Sequence, residues 1–330
     1  MSIPYVLREF WAKVLLGLAS LLMTVQLMPA MAQAGPGYFP NTPLITQDGV
    51  KVNFYEDLLK GKSVAINVIY TSCTDECPLE TARMAEVQRL LGERMGKDIV
   101  FYSISIDPEH DTPKVLKNYA GKFNVGPGWL FLTGKKEDIN LLTKKLGLSR
   151  SSDGANKDGH ASSLMLGNER TGQWMRNSAV DNPRFLVATM NNFFNWNAAQ
   201  GVKDYADARP INISQAQFMF QSRCSSCHTV GGGDGIGPDL AGVGQRREPA
   251  WLGRFVKEPE KMLAAGDAVA TQLFNKYKQV RMPNLGLTDN EVASLLAYID
   301  ARGKERPQPP NLKSVSNPGG DPHTAHKHHH

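Results

Sequence analysis

The chain has 330 residues, 41% hydrophobic and 21% charged, the balance of a soluble globular protein long enough for two domains with separate cores. A formal net charge of +5, with no dense Lys/Arg run between aromatics, excludes a nucleic-acid footprint. Four cysteines in two tight local pairs, Cys73 with Cys77 and Cys224 with Cys227, exclude a disulfide scaffold and point to two separate chemical sites.

Residues 1–34 read as an export signal: Arg8 and Lys13 precede an apolar run over 14–28, and Ala30, Ala32 and Ala34 offer Ala-x-Ala cleavage sites. An uncleaved membrane anchor is the alternative, but the run falls short of the roughly 20 apolar residues a spanning helix needs. Either way the body is expected outside the cytoplasm, in the periplasm, where dithiols oxidise unless a reductant or a metal holds them.

Residues 35–196 alternate strand and helix patterns, which predicts an α/β domain on a central sheet. Asp48 and Gly49 mark a hairpin turn, and 63–70 (SVAINVIY) is a continuous β-rich run of the kind buried on both faces. A helix is predicted over 78–95, with Met84, Val87, Leu91 and Met95 near 3.6 spacing as core and Pro78 in its first turn. Strands follow over 99–106 and 129–133 and helices over 112–123 and 136–146. The polar loop 151–159 delivers His160 to a strand-like run, Arg170 to Gly172 turn a hairpin, and Asn182 with Pro183 opens a last helix.

Residues 197–212 are polar and read as a linker. The second domain, 213–303, is predicted all-helical, with helices over 214–224, 249–257 and near 271–277, and a terminal helix opened by Thr288 and Glu291 in a capping box. Residues 304–330 hold five prolines and end in histidines, a composition that forms no core. The terminal histidines suit loose Cu(II) or Ni(II) binding or are an expression remnant.

The CSSCH run at Cys224 to His228 has the Cys-x-x-Cys-His spacing of covalent haem attachment. Two thiols form thioethers and the imidazole takes the fifth iron position. A zinc half-site or a redox dithiol is the bland alternative; no second Cys pair lies nearby to complete zinc. With GPDL at 237–240, RMPN at 281–284 and the terminal helix at 287–299, residues 213–303 resemble class I cytochrome c. The resemblance implies Met282 as sixth ligand, rather than Met262, and Pro238 as support for His228. Electron transfer is the implied role.

The first pair, in TSCTDECP at 71–78, could close a disulfide, hold a soft metal or pack in a core. Together with NVIYTSCTDECPLETARM at 67–84, SISIDPEHDTP at 103–113 and His160 opening a late strand, it resembles the Sco/SenC family of thioredoxin-fold copper proteins over about 38–196. The resemblance implies copper bound by Cys73, Cys77 and His160, and delivery to the CuA centre of cytochrome c oxidase, or reduction of that centre's cysteines. Two thiolates suit Cu(I), and an added imidazole also accepts Cu(II). The helix N-terminus favours a thiolate at Cys77, while Asp75 and Glu76 oppose it. Asp107 and Asp111 are expected to shape a turn, and His110 to be exposed.

Two functions are carried forward. One is a copper chaperone with a built-in electron-transfer haem, whose partners are a copper recipient and redox proteins. The other is a thiol-disulfide oxidoreductase or peroxiredoxin-like reductase fed by haem, with Cys73 and Cys77 catalytic. A disulfide exchanges two electrons and one haem exchanges one, which favours copper as the haem's counterpart.

Overall fold

A computed structural model describes residues 37–73, 76–149, 162–196 and 213–305. The expected signal segment, His160, the expected linker and the tail beyond 305 lie outside the described residues. The first half is a seven-stranded mixed sheet with strand order β2-β1-β5-β4-β3-β6-β7, which matches the expected thioredoxin-like α/β architecture. The second half is all-helical, as expected.

The sheet is built from β1 (Pro43–Thr46), β2 (Lys51–Asn53), β3 (Ser63–Ile69), β4 (Val100–Ser105), β5 (Trp129–Gly134), β6 (Ser163–Asn168) and β7 (Gln173–Ser178). The β1–β2 hairpin turns at Gly49, whose φ of 79° only glycine adopts without strain. β3 runs parallel to β4 and antiparallel to β6. It is therefore paired on both edges, consistent with its uninterrupted apolar run.

Period-two alternation along β3 sends its side chains into two cores. Ala65 and Ile69 join Met84, Val87, Leu116, Leu186 and Met190 on one face, and Val64, Ile66 and Val68 join Leu58, Ile139 and Leu142 on the other. The first face is covered by α1 (Glu76–Leu91), α2 (Pro113–Lys122) and α4 (Pro183–Phe193). The second is covered by α3 (Lys136–Lys145) and a helical turn at Phe54–Leu59. Each of the fully buried Leu and Ile side chains contributes roughly 2 kcal/mol of transfer free energy.

Helix starts follow their caps. Thr112 accepts from the Val115 N–H and Asn182 from the Arg184 N–H, each with proline in the first turn that follows. The predicted end of α1 at Met95 is corrected to Leu91. Gly92, at φ 54°, takes the left-handed conformation that stops a helix, and a short 3-10 turn follows at Gly92–Arg94.

In the second half, α5 (Gln215–Arg223), α6 (Val243–Arg246), α7 (Pro249–Lys257), α8 (Pro259–Ala264), α9 (Ala268–Lys276) and α10 (Asp289–Lys304) surround one core of Met219, Phe220, Leu252, Val256, Leu295 and Ile299. The capping box of Thr288 and Glu291 is present, and α10 runs one residue past the predicted domain end at 303. α6 and α8 are additions to the predicted set, too short to show a 3.6-residue period.

Candidate metal and haem centres

The dithiol lies where β3 ends and α1 begins. Cys73 precedes the helix, its N–H bonded to the Tyr70 carbonyl at 3.2 Å, and Cys77 is in the first turn. The two thiols are thus not both on a helix. The Cys77 N–H points at the Cys73 sulfur at 3.5 Å, one of the donors a helix N-terminus leaves open. Cys77 is fully buried and Cys73 half-buried, so Cys73 presents the accessible sulfur.

Asp111 braces the strand end that carries this loop. It is fully buried, and its carboxylate accepts from the Thr71 N–H at 3.1 Å, the Thr71 hydroxyl at 2.5 Å and the Ser105 hydroxyl at 2.6 Å. On the helix side, the Cys77 carbonyl accepts from the Thr81 hydroxyl at 2.8 Å and the Tyr119 hydroxyl at 3.2 Å. Asp107 faces His110 at 3.0 Å, and the His110 ring is largely exposed at 70%. Both aspartates are turn-builders in the geometry seen.

A hydrogen bond with Cys73 and burial push the Cys77 thiol well above its ordinary pKa, because an isolated helix end supplies less stabilisation than desolvation removes. Such a pair gives up its protons to a metal more readily than to bulk solvent, since metal binding itself displaces them. Among the described residues no group of three or more His, Cys, Asp and Glu side chains could hold a metal; His160 lies outside them.

The second pair sits at the opposite end of a helix. α5 ends at Arg223, Cys224 is its C-cap, and the Cys227 and His228 N–H groups both donate to the Cys224 carbonyl, at 3.1 and 2.9 Å. Burial pushes both thiols up to about 12. In an attached form these sulfur positions are those of the thioethers.

His228 is prepared for a metal. Its Nδ1 lies 2.9 Å from the Pro238 carbonyl, an atom that can only accept, so Nδ1 carries the proton and Nε2 keeps its lone pair. Burial lowers the His228 pKa, which favours the neutral ring. A Cβ at Gly237 would fall 2.6 Å from the ring Cε1, so the imidazole occupies space only glycine leaves open.

The loop after His228 is tied by Asp239, which accepts from the Gly231 and Ala241 N–H groups at 2.9 and 2.7 Å. These and further donors overcome desolvation and hold its carboxyl down at about 2.

A cavity of about 570 Å³ opens beside His228, within the size range of cofactor sites. Cys224, Cys227, His228 and Met282 all line it, with apolar walls that include Leu252 and Phe255. Met262 is absent from its wall, whereas Met282 is part of it. The residues present therefore fit a haem: two thiols, an imidazole with one ring nitrogen fixed, a thioether, and a mainly apolar pocket.

One wall comes from the other half of the chain. Leu79 of α1, two residues after Cys77, lines the same cavity. Arg83 donates through Nη2 to the Ser222 carbonyl, and Glu86 accepts from the Ser226 hydroxyl at 2.9 Å. Cys227, Ile236 and Val280 pack against the core of the sheet domain. Lys278 reaches the Gly121 carbonyl and the Asn124 side chain at the end of α2, at 3.0 and 2.8 Å. Sequence reasoning missed Leu79, Arg83 and Glu86. The available signal was their i, i+4, i+7 spacing, one helix face distinct from the Met84–Val87–Leu91 core face.

Comparison with known proteins agrees with this division. The SCO1/SenC family model matches residues 40–193 and the cytochrome c family model matches residues 213–303. An SCO2-like protein of Rickettsia felis is 39% identical over 102 residues, 31% of this chain and 47% of its own. The SCO1 protein homolog of Bacillus subtilis is 38% identical over 89 residues, 27% of this chain and 45% of its own. The chain spans about half the length of these curated relatives. The solved ScoI of Bradyrhizobium japonicum with copper bound is 26% identical, covers 47% of this chain and 99% of that one, and has a TM-score of 0.39. Residues 40–193 thus match a SCO1/SenC domain and residues 213–303 a cytochrome c domain.

Proposed function

We propose that the protein is an exported copper-delivery protein for the CuA centre of cytochrome c oxidase. Copper is its cargo, taken by Cys73, Cys77 and His160, and covalent haem c is its resident cofactor, attached at Cys224 and Cys227 and ligated by His228 and Met282. The observation that carries this reading is the shared helix: α1 begins at the dithiol, and its Leu79 is part of the haem cavity wall. The family match over 40–193 supports copper handling. The basic, apolar and Ala-x-Ala pattern of residues 1–34 supports export to the periplasm.

Haem in this cavity supplies a one-electron couple, which matches Cu(I)/Cu(II) and not the two electrons of a disulfide. The chain's own residues do the remaining work. Asp111 and the Thr81–Tyr119 pair fix the two ends of the thiol loop, Cys77 stays buried, and Cys73 is left accessible to receive or release the ion. A second reading, thiol-disulfide exchange, is favoured by one observation: the Cys77 N–H lies on the Cys73 sulfur.

Competitive titration with a chromogenic Cu(I) chelator separates the two. The full haem-loaded chain is expected to bind one copper. Replacing both Cys73 and Cys77 by Ser should weaken binding at least about 100-fold with an unchanged haem spectrum, and His160→Ala should weaken Cu(II) most. Undiminished copper binding by the double Ser variant would refute the copper reading and leave the dithiol reading standing.

A further inference from the structure

The α1 face that meets the cytochrome half carries two charges where a haem edge is expected. Arg83 is only 5% exposed. It donates to the Ser222 carbonyl, two residues before the first haem cysteine, and its Nε has no hydrogen-bond partner among the described residues. Its electrostatic neighbours are Cys227, Asp181, Arg223 and Cys224. One turn along, Glu86 has a side chain 12% exposed. It accepts from Ser226, between the two cysteines, and is partly offset by Arg89 at 3.5 Å.

A buried guanidinium keeps its charge, and a buried charge without full pairing is expensive, so its field is only weakly screened. Oxidised haem iron carries one positive charge more than reduced iron. A cation fixed at the thioether edge opposes oxidation, and a carboxylate there favours it.

We propose that Arg83 and Glu86, both from the SCO1/SenC half, set the reduction potential of the haem in the cytochrome half, Arg83 raising it and Glu86 lowering it. Arg83 has the larger effect because it is the more buried and, among the described residues, is not neutralised by a carboxylate at ion-pair distance. The two are positioning residues that act by field, without contact to the iron. The assignment rests on the haem reading of Cys224, Cys227, His228 and Met282.

The test is a redox titration of the full haem-loaded chain, followed by haem absorbance. Arg83→Gln is expected to lower the equilibrium constant for reduction about tenfold, about 59 mV for one electron. Arg83→Lys should stay within about twofold of the parent, and Glu86→Gln should raise the constant about threefold. Opposite signs are the signature, since a merely loosened and wetter haem edge moves both variants down. If Arg83→Gln does not accumulate, an upward shift in Glu86→Gln still supports the assignment and a null or downward one overturns it. An unchanged potential in a folded Arg83→Gln variant overturns this assignment alone. A parent chain with no covalent haem on a denaturing gel overturns the haem reading and this assignment with it.

Discussion

The two cysteine pairs occupy opposite ends of helices, and that difference separates their chemistry. Cys73 and Cys77 straddle the N-terminus of α1, where an open N–H meets a sulfur at 3.5 Å. Cys224 and Cys227 follow the C-terminus of α5, where the Cys224 carbonyl collects two N–H groups and burial holds both thiols at about 12. A helix start offers donors to an anionic ligand set, whereas a helix end offers none. Each pair holds one buried and one half-buried cysteine, so what separates them is the helix end each occupies and the cavity that Cys224 and Cys227 line.

The largest expected effect breaks the second region. Gly237→Ala places a methyl 2.6 Å from the His228 ring, and relieving it requires breaking the Pro238 contact that orients the ring. We expect loss of the low-spin haem spectrum at neutral pH, with about 2–3 kcal/mol of overpacking cost in a denaturant melt.

A similar but smaller effect loosens the first region. Asp111→Ala strands the Thr71 and Ser105 donors in a buried site. It should cost about 2 kcal/mol by chemical denaturation and weaken copper binding, while leaving the haem spectrum as it was. A change in the haem spectrum instead would mean that the two regions are less separable than their caps suggest.

Most of the secondary structure was legible because its signals are local. Proline in the first turn of α2, α4 and α7, Thr112, Asn182 and the Thr288–Glu291 box all lie beside the helices they start. The end of α1 was misread because the apolar spacing continues to Met95 while Gly92 has already turned the backbone.

The domain contact left only a weak trace in the sequence, the i, i+4, i+7 spacing of Leu79, Arg83 and Glu86. Arg83 and Glu86 look like charges on a solvated face, and residues 222–226, about 140 positions downstream, cover them, leaving Arg83 buried and Glu86 half-buried. The candidate haem site is therefore only partly written in its own domain. Its CSSCH run and Met-Pro pair stand in 213–303, whereas Leu79 comes from the helix that starts at the dithiol.

In the proposed function one helix, α1, couples a copper seat to a haem cavity. The most direct test of this coupling is stopped-flow absorbance of the full chain with the haem pre-reduced, mixed with one equivalent of Cu(II). Oxidation of the haem at a rate independent of protein concentration, lost in the Cys73→Ser, Cys77→Ser double variant, is the predicted result. Haem that stays reduced, or is oxidised equally fast in the double variant, would contradict it.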